Sequence, residues 1–231
     1  MAEESGVLTP LSNDPESLTE FAETIGIDPQ SFSFNEIFSY DEDMLQMIPR
    51  PVHSIIFLFP IGTSDGVLEN RHSDDPSVDE KPDPTLPFFT YQTVPNACGT
   101  IAVIHSVMNN LNHVRIIPDS WMSTFIEKSQ TMTAQERADY IESNDEIQEI
   151  HEDAAVEDTT PMLEEDEMNH FIAFVAHDGK LWELDGRKPR PICHGPTTDV
   201  LASTVKVLTE EFFPHIEDIM KTSSVAFCGS S

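Results

Sequence analysis

Positive charge is scarce in this chain. Its 231 residues include 12 lysines and arginines against 42 aspartates and glutamates, for a formal net charge of −30. Nucleic acid and anionic bilayers repel such a chain, so neither is expected as a partner; a basic partner is the natural complement. Service to solubility alone is the plain alternative. Cysteine is scarce too. Three residues, Cys98, Cys193 and Cys228, form no C-x-x-C pair and no Cys/His spacing of the zinc-finger kind. An odd count argues against a disulfide framework and for a reducing compartment, cytoplasmic or also nuclear. No apolar run approaches the roughly 18 residues of a membrane span. The opening "MAEESGVLTPLSND" has neither the basic nor the apolar region of a secretory signal. A P-loop, a G-x-G-x-x-G and internal repeats are all missing.

What is present supports one sizeable core. Fourteen phenylalanines and 39% hydrophobic residues exclude global disorder, and the length suits a single domain, 1–231, with insertions. "DPESLTEFAETIGI" predicts a helix capped by Asp14, with Pro15 in its first turn and Leu18, Phe21, Ala22 and Ile25 on one face. "DEDMLQMI" predicts a shorter helix, and "VHSIIFLF" (52–59) a strand covered on both faces. Residues 62–87 read as a surface loop and "LPFFTYQ" as a short strand. Ile101, Ile104, Met108 and Leu111 recur at helical spacing, so a buried helix starts at or just after Cys98. "DSWMSTFIEKS" predicts a helix capped by Asp119, and "TAQERADYIES" one opened by a Thr133/Glu136 capping box. Residues 142–169 hold 12 acidic and no basic residues; "NDEIQEIHEDAAVE" fits a helix and "DTTPMLEEDEMN" a loop. "HFIAFVAHDGKLWELDG" reads as a hairpin turning at Asp178-Gly179. "TTDVLASTVKVLTEEFF" predicts a helix and "SVAF" a last strand. Without regular βαβ alternation, the order favours an α+β fold with a mainly antiparallel sheet.

The hairpin carries chemistry. Pairing His177 with Lys180 sets Asp185 opposite Ile172, so His170 and Asp185 are diagonal neighbours on one face. A carboxylate on one imidazole nitrogen fixes the tautomer and leaves the other nitrogen to move a proton. A strand-end histidine beside a surface aspartate is the plain alternative. A thiol at a helix N-terminus, such as Cys98, meets the positive end of the helix dipole, which favours the thiolate; an inert buried cysteine is the alternative. Gly99 leaves room for another backbone or a ligand. Gln92, six residues before Cys98 across a turn containing Pro95, would make an oxyanion hole with the Cys98 N–H if its side chain points beside the sulfur; a solvated glutamine is the plain alternative. Cys193 adjoins His194 with no third partner in view, Cys228 reads as buried, and His105 and His113 read as satisfied or solvated rather than ligating.

"QTVPNACGTIAVIHSV" and "HFIAFVAHDGKLWELDGRKP", with the order Gln, Cys, His, Asp, closely resemble the ubiquitin C-terminal hydrolases, cysteine peptidases of papain-like geometry. "SLTEF", "DEDMLQMIPRPV", "IIFLFP" and "TMTAQERADYIE" extend the resemblance over about residues 8–228. The resemblance implies Cys98 as nucleophile, His170 as general base and acid, Asp185 as the residue orienting His170, and Gln92 as oxyanion donor. It implies a sheet packed between helices and a loop crossing over the active site at about 148–169. The implied reaction is thiol-dependent cleavage of small or flexible adducts from the C-terminal glycine of ubiquitin, through an acyl-enzyme. Ubiquitin is the implied partner, with a ubiquitin-like modifier also open, and its basic tail complements the acidic chain. No metal or cofactor is required, and a monomer is expected. Two other readings stay open: a silent or partner-activated ubiquitin-binding homologue, and acyl transfer from a small-molecule donor.

Overall fold

The structure, a computed structural model, describes residues 8–61, 66–77, 82–156 and 168–230. Helix α1 (Pro15–Thr24) is capped by the Asp14 carboxylate, which accepts from the N–H groups of Glu16 and Ser17. Strand β1 (Phe32–Glu36), a single turn α2 (Glu42–Leu45) and the long strand β2 (Val52–Ile61) follow. One further turn, α3 (Val67–Asn70), interrupts the proline-rich loop. The helical half is α4 (Cys98–Met108), α5 (Trp121–Ser129), α6 (Ala134–Glu142) and α7 (Asp145–Val156). Strands β3 (Met168–His177), β4 (Lys180–Leu184) and β5 (Ile192–Pro196), helix α8 (Val200–Val207) and strand β6 (Ser223–Gly229) complete the chain.

The six strands form one antiparallel sheet in the order β1-β6-β2-β3-β4-β5. Its two faces follow from side-chain alternation. Phe171, Ala173 and Val175 of β3 join the core beneath α1, α4 and α5, whereas Ile172 and Phe174 join the core beneath α8. The central strands are therefore apolar throughout, as the run "VHSIIFLF" predicts. Sequential hairpin and crossover connections carry the start of β3, the end of β2, the end of β4, the end of β1 and the start of β6 to the same end of the sheet.

Several expectations need correction. The "LPFFTYQ" segment forms no strand. Its backbone groups are taken by side chains instead: Phe88 N–H donates to Asn109 Oδ1 (2.8 Å), Asn109 Nδ2 to Phe88 O (3.0 Å) and Arg137 Nη1 to Phe89 O (2.8 Å). Asp119 sits at φ 61 and does not cap α5; Ser120 does, accepting from Ser123 N–H. The "DEDMLQMI" helix shrinks to one turn, and the helix after Asp199 leaves α geometry for a π turn at Leu208–Phe212. Strands β1 and β5, both short and at the sheet's edges, were not foreseen. The proposed crossover loop at 148–169 narrows: residues up to Val156 belong to α7 and Met168 onward to β3, and the part between lies outside the described residues. The Thr133/Glu136 capping box and the Asp178-Gly179 turn are present as expected.

Gly26 sets the exit from α1. It adopts φ +110, and a Cβ there would lie 2.1 Å from Ser120 Cβ, so only glycine lets the chain pass the start of α5. Gly26→Ala is expected to lower stability by about 2–3 kcal/mol, seen as a lower urea midpoint at unchanged m-value. A midpoint equal to wild type would show that the two segments part freely.

Candidate active site

The hairpin register is the one the turn dictates. His177 pairs with Lys180 and Ala173 with Leu184, which leaves His170 and Asp185 just beyond the paired region on one face. His170 Nε2 lies 2.7 Å from Asp185 Oδ1, and both residues are buried. Asp185 Oδ1 also accepts the Arg187 backbone N–H at 2.9 Å. His170 Nδ1, the nitrogen turned away from the carboxylate, has no nitrogen or oxygen partner among the described residues, and the Cys98 thiol is the other group that acts on the imidazole.

Cys98 opens α4, as the apolar spacing predicts, and is 5% exposed. Ala97 at the N-cap offers no side-chain cap, so no side chain competes for the first-turn N–H groups. The turn before it is rigid: Asn96 takes a positive φ of 64, and its Nδ2 donates to Leu8 O at 2.8 Å. Gly99 does make room, but for the Leu11 side chain, which a Cβ would meet at 3.1 Å.

Burial alone would push the Cys98 thiol up. The facing His170, by hydrogen bond and charge, then the Phe171 backbone N–H and the Arg187 charge, outweigh it and hold the thiol below its ordinary value. Burial likewise works against charge on His170, but Asp185 and Cys98 overcome it and raise the imidazole to about 9. The Asp185 carboxyl, also opposed by burial, is held low chiefly by His170, with the Arg187 N–H and Lys188 adding to it. The three sequence-predicted groups are thus brought together, with the imidazole able to bear a proton while the thiol gives one up.

Gln92 is close by but engaged. Its backbone N–H donates to Gly186 O at 2.9 Å, which ties it to the residue after Asp185. Its side-chain Nε2 donates to Val94 O at 3.2 Å, and its Oε1 is buried without a partner among the described residues.

Sequence reasoning missed the residues after Asp185. Arg187 acts on Cys98 and Asp185, and Lys188, 4% exposed, sends its Nζ to Leu68 O (3.1 Å) and Glu69 O (2.6 Å) at the end of α3. The signal was legible: "LDGRKPR" concentrates three of the chain's 12 basic residues. His194 does have partners after all, in Glu183 (2.9 Å) and Glu211 (3.2 Å), which Arg71 also binds, whereas Cys193 is exposed. His105 is fully buried, with Nε2 on the Thr90 backbone, and His113 is exposed against His53. Another buried histidine, His151, bridges Thr100 of α4 and Thr9 O.

The pH dependence follows with its sign. His170, raised from 6.5 to about 9, contributes stability that is complete below pH 6.5 and lost as pH rises through about 9. Asp185, lowered from 3.8, contributes stability present above 3.8 and lost as pH falls. Cys98, lowered from 9.0, contributes above that value and loses its share as pH falls through its folded pKa. Ultraviolet thiolate absorbance should therefore show a group titrating below 9, absent from Cys98→Ala. Asp185→Asn should move it up by about a unit or more, because the imidazolium loses its partner. An unchanged titration in Asp185→Asn would show that the dyad does not act on the thiol.

Comparison with known proteins supplies the context for this geometry. The family model described as ubiquitin carboxyl-terminal hydrolase, family 1, matches residues 8–221. Ubiquitin carboxyl-terminal hydrolase 3 of Arabidopsis thaliana is 33% identical over 201 residues, 86% of this chain and 85% of that protein. A probable ubiquitin carboxyl-terminal hydrolase of Dictyostelium discoideum is 37% identical over 205 residues, 86% of this chain and 79% of that one. Human ubiquitin carboxyl-terminal hydrolase isozyme L1 is 30% identical over 223 residues, 96% of this chain and 98% of that one. In fold, the chain resembles the Trichinella spiralis UCH37 catalytic domain, solved bound to ubiquitin vinyl methyl ester, with a TM-score of 0.74 at 21% identity over 97% of this chain and 96% of that one. With a matching family model over most of its length and close relatives over nearly all of it, the chain belongs to the ubiquitin carboxyl-terminal hydrolase family of cysteine-type deubiquitinating enzymes.

Proposed function

We propose that this chain hydrolyses bonds to the C-terminal glycine of ubiquitin through a Cys98–His170–Asp185 triad and an acyl-enzyme. The observation that carries this reading is the buried 2.7 Å His170–Asp185 pair, which leaves the Nδ1 side of the imidazole to the Cys98 thiol that it lowers. In the proposed first step, Cys98 Sγ attacks the glycine carbonyl carbon as a thiolate, and the oxygen becomes an oxyanion. His170 Nδ1 gives its proton to the leaving amine, and the C–N bond breaks to leave a thioester. His170, now neutral, takes a proton from water as the water attacks the thioester; the carboxyl group departs and Cys98 returns to the thiolate. Asp185 holds the imidazole's tautomer and orientation throughout. Gln92 and the Cys98 N–H are the proposed oxyanion donors.

Ubiquitin would approach the end of the sheet that carries the site. Three exposed apolar side chains lie toward that end, beyond the end of β1 and before the start of β6: Phe38 (79% exposed), Ile219 and Met220 (86%). Exposed apolar side chains there suit a protein substrate. Small or flexible leaving groups are the proposed preference.

One observation favours a second reading, a homologue completed only by its partner. Gln92 Nε2 is committed to Val94 O and must be released before it can serve an oxyanion.

A fluorogenic ubiquitin C-terminal amide separates the two readings. Wild type is expected to turn it over, Cys98→Ala to lose at least about a thousandfold, and Gln92→Ala about 10²–10³-fold in kcat. Folded ubiquitin conjugates should be cut more slowly than the small amide. Turnover by Cys98→Ala at the wild-type rate would overturn the triad, and no wild-type turnover despite ubiquitin binding would favour the second reading.

A further inference from the structure

A groove of about 410 Å3 lies apart from this site; neither Cys98, Gln92, His170 nor Asp185 lines it. Its walls are stiff and apolar, among them Pro84, Leu86, Phe88, Met132 and Pro191, and two arginines, Arg137 and Arg190, complete it. Arg137 is 8% exposed, with its guanidinium 4.1 Å from the Phe88 ring centre. Its Nε and Nη1 donate only to the carbonyls of Ser129 (3.3 Å) and Phe89 (2.8 Å). No described carboxylate pairs with it, and burial draws its pKa down to about 10, which still leaves it charged at neutral pH. Arg190 makes no hydrogen bond or ion pair among the described residues.

Of the six arginines, Arg187 too makes no ion pair among the described residues, but it is exposed. Arg50, Arg71 and Arg115 each pair with aspartate or glutamate. A buried cation without a counter-charge is costly, and an anion brought to it relieves that cost. Asp83, also in the groove wall, does not answer the arginines; its Oδ1 accepts from the Thr85 N–H (2.9 Å) and hydroxyl (2.7 Å). Guanidinium forks match carboxylates in charge and shape, and apolar walls take an apolar neighbour. A second copy of this chain fits poorly as occupant, because each copy carries −30.

We propose that this groove binds a short acidic–apolar segment of a partner protein, its carboxylate between Arg137 and Arg190 and its adjoining apolar side chain against Leu86 and Met132.

Methyl NMR on the full chain, with N-acetyl-leucyl-glutamyl amide as probe and its glutaminyl counterpart as control, tests this. The expected result is a saturable shift of the Met132 methyl with the glutamyl peptide. Binding should weaken at least about tenfold for the glutaminyl peptide and for Arg190→Gln, whose fold is checked by an unchanged thermal midpoint. Equal affinity for the two peptides, or no effect of Arg190→Gln, would overturn the proposal. So would acetate binding as tightly as the peptide, which marks a simple anion site. Concentration-dependent self-association lost in Arg190→Gln would overturn it in favour of a second copy.

Discussion

A two-residue turn at Asp178-Gly179 fixes the pairing of β3 with β4, and that pairing sets the His170 imidazole 2.7 Å from the Asp185 carboxylate. The turn alone does not hold the register. Both faces of β3 are buried, Phe171, Ala173 and Val175 beneath the α4 side and Ile172 and Phe174 beneath the α8 side. A slip of one residue would exchange those two sets, so the cost of slipping is spread along the whole strand. The same constraint keeps His170 and Asp185 on one face. The packing of the two cores is thus what aligns the dyad, and α4, laid on one of those cores, brings Cys98 to it from the other direction.

Burying three ionisable groups at one end of a sheet is unfavourable unless each has a partner. Each group here is the main support of the next: Asp185 for His170, His170 for Cys98. Backbone donors finish the work, with the Arg187 N–H on Asp185 and the Phe171 N–H toward Cys98. Lys188 adds positive charge near Asp185 while its ammonium is spent on the carbonyls that end α3. Removing any one group therefore leaves a buried charge unanswered, which is why the site behaves as a unit rather than as three residues.

The sequence made this unit legible because its parts are encoded locally. The Asp-Gly turn, the strand alternation and the helix that starts at Cys98 each depend on a few neighbouring residues, and together they predict the dyad and its thiol. What escaped depended on distant partners. The 88–92 segment looks β-prone, but Asn109, His105 and Arg137 claim its backbone groups, and no local pattern reveals that. Asp119 looks like a cap, yet the chain turns through positive φ there and passes the role to Ser120. Edge strands β1 and β5 are short and half polar, so their alternation was too weak to read. Gln92 is tied to Gly186 by its backbone N–H, but its side-chain bond to Val94 O belongs to the folded turn.

The distribution of the few cations carries a further lesson. In a chain with this excess of acid, an arginine on the surface meets a carboxylate readily, as Arg50 and Arg115 do. A cation that meets none is held away from that abundance by the fold. Arg137 is held by the carbonyls of Ser129 and Phe89, whereas Lys188, held by the carbonyls of α3, does lie near Asp185. Arg187 is left to act on Cys98 across space. A carboxylate beside any of these would be electrostatically favourable in isolation. Its consequence would have been to cancel the positive potential that steadies a thiolate in one place and leaves a charged groove in another. Scarcity of positive charge, which first served to exclude partners, thus also marks the positions where the fold keeps that charge free.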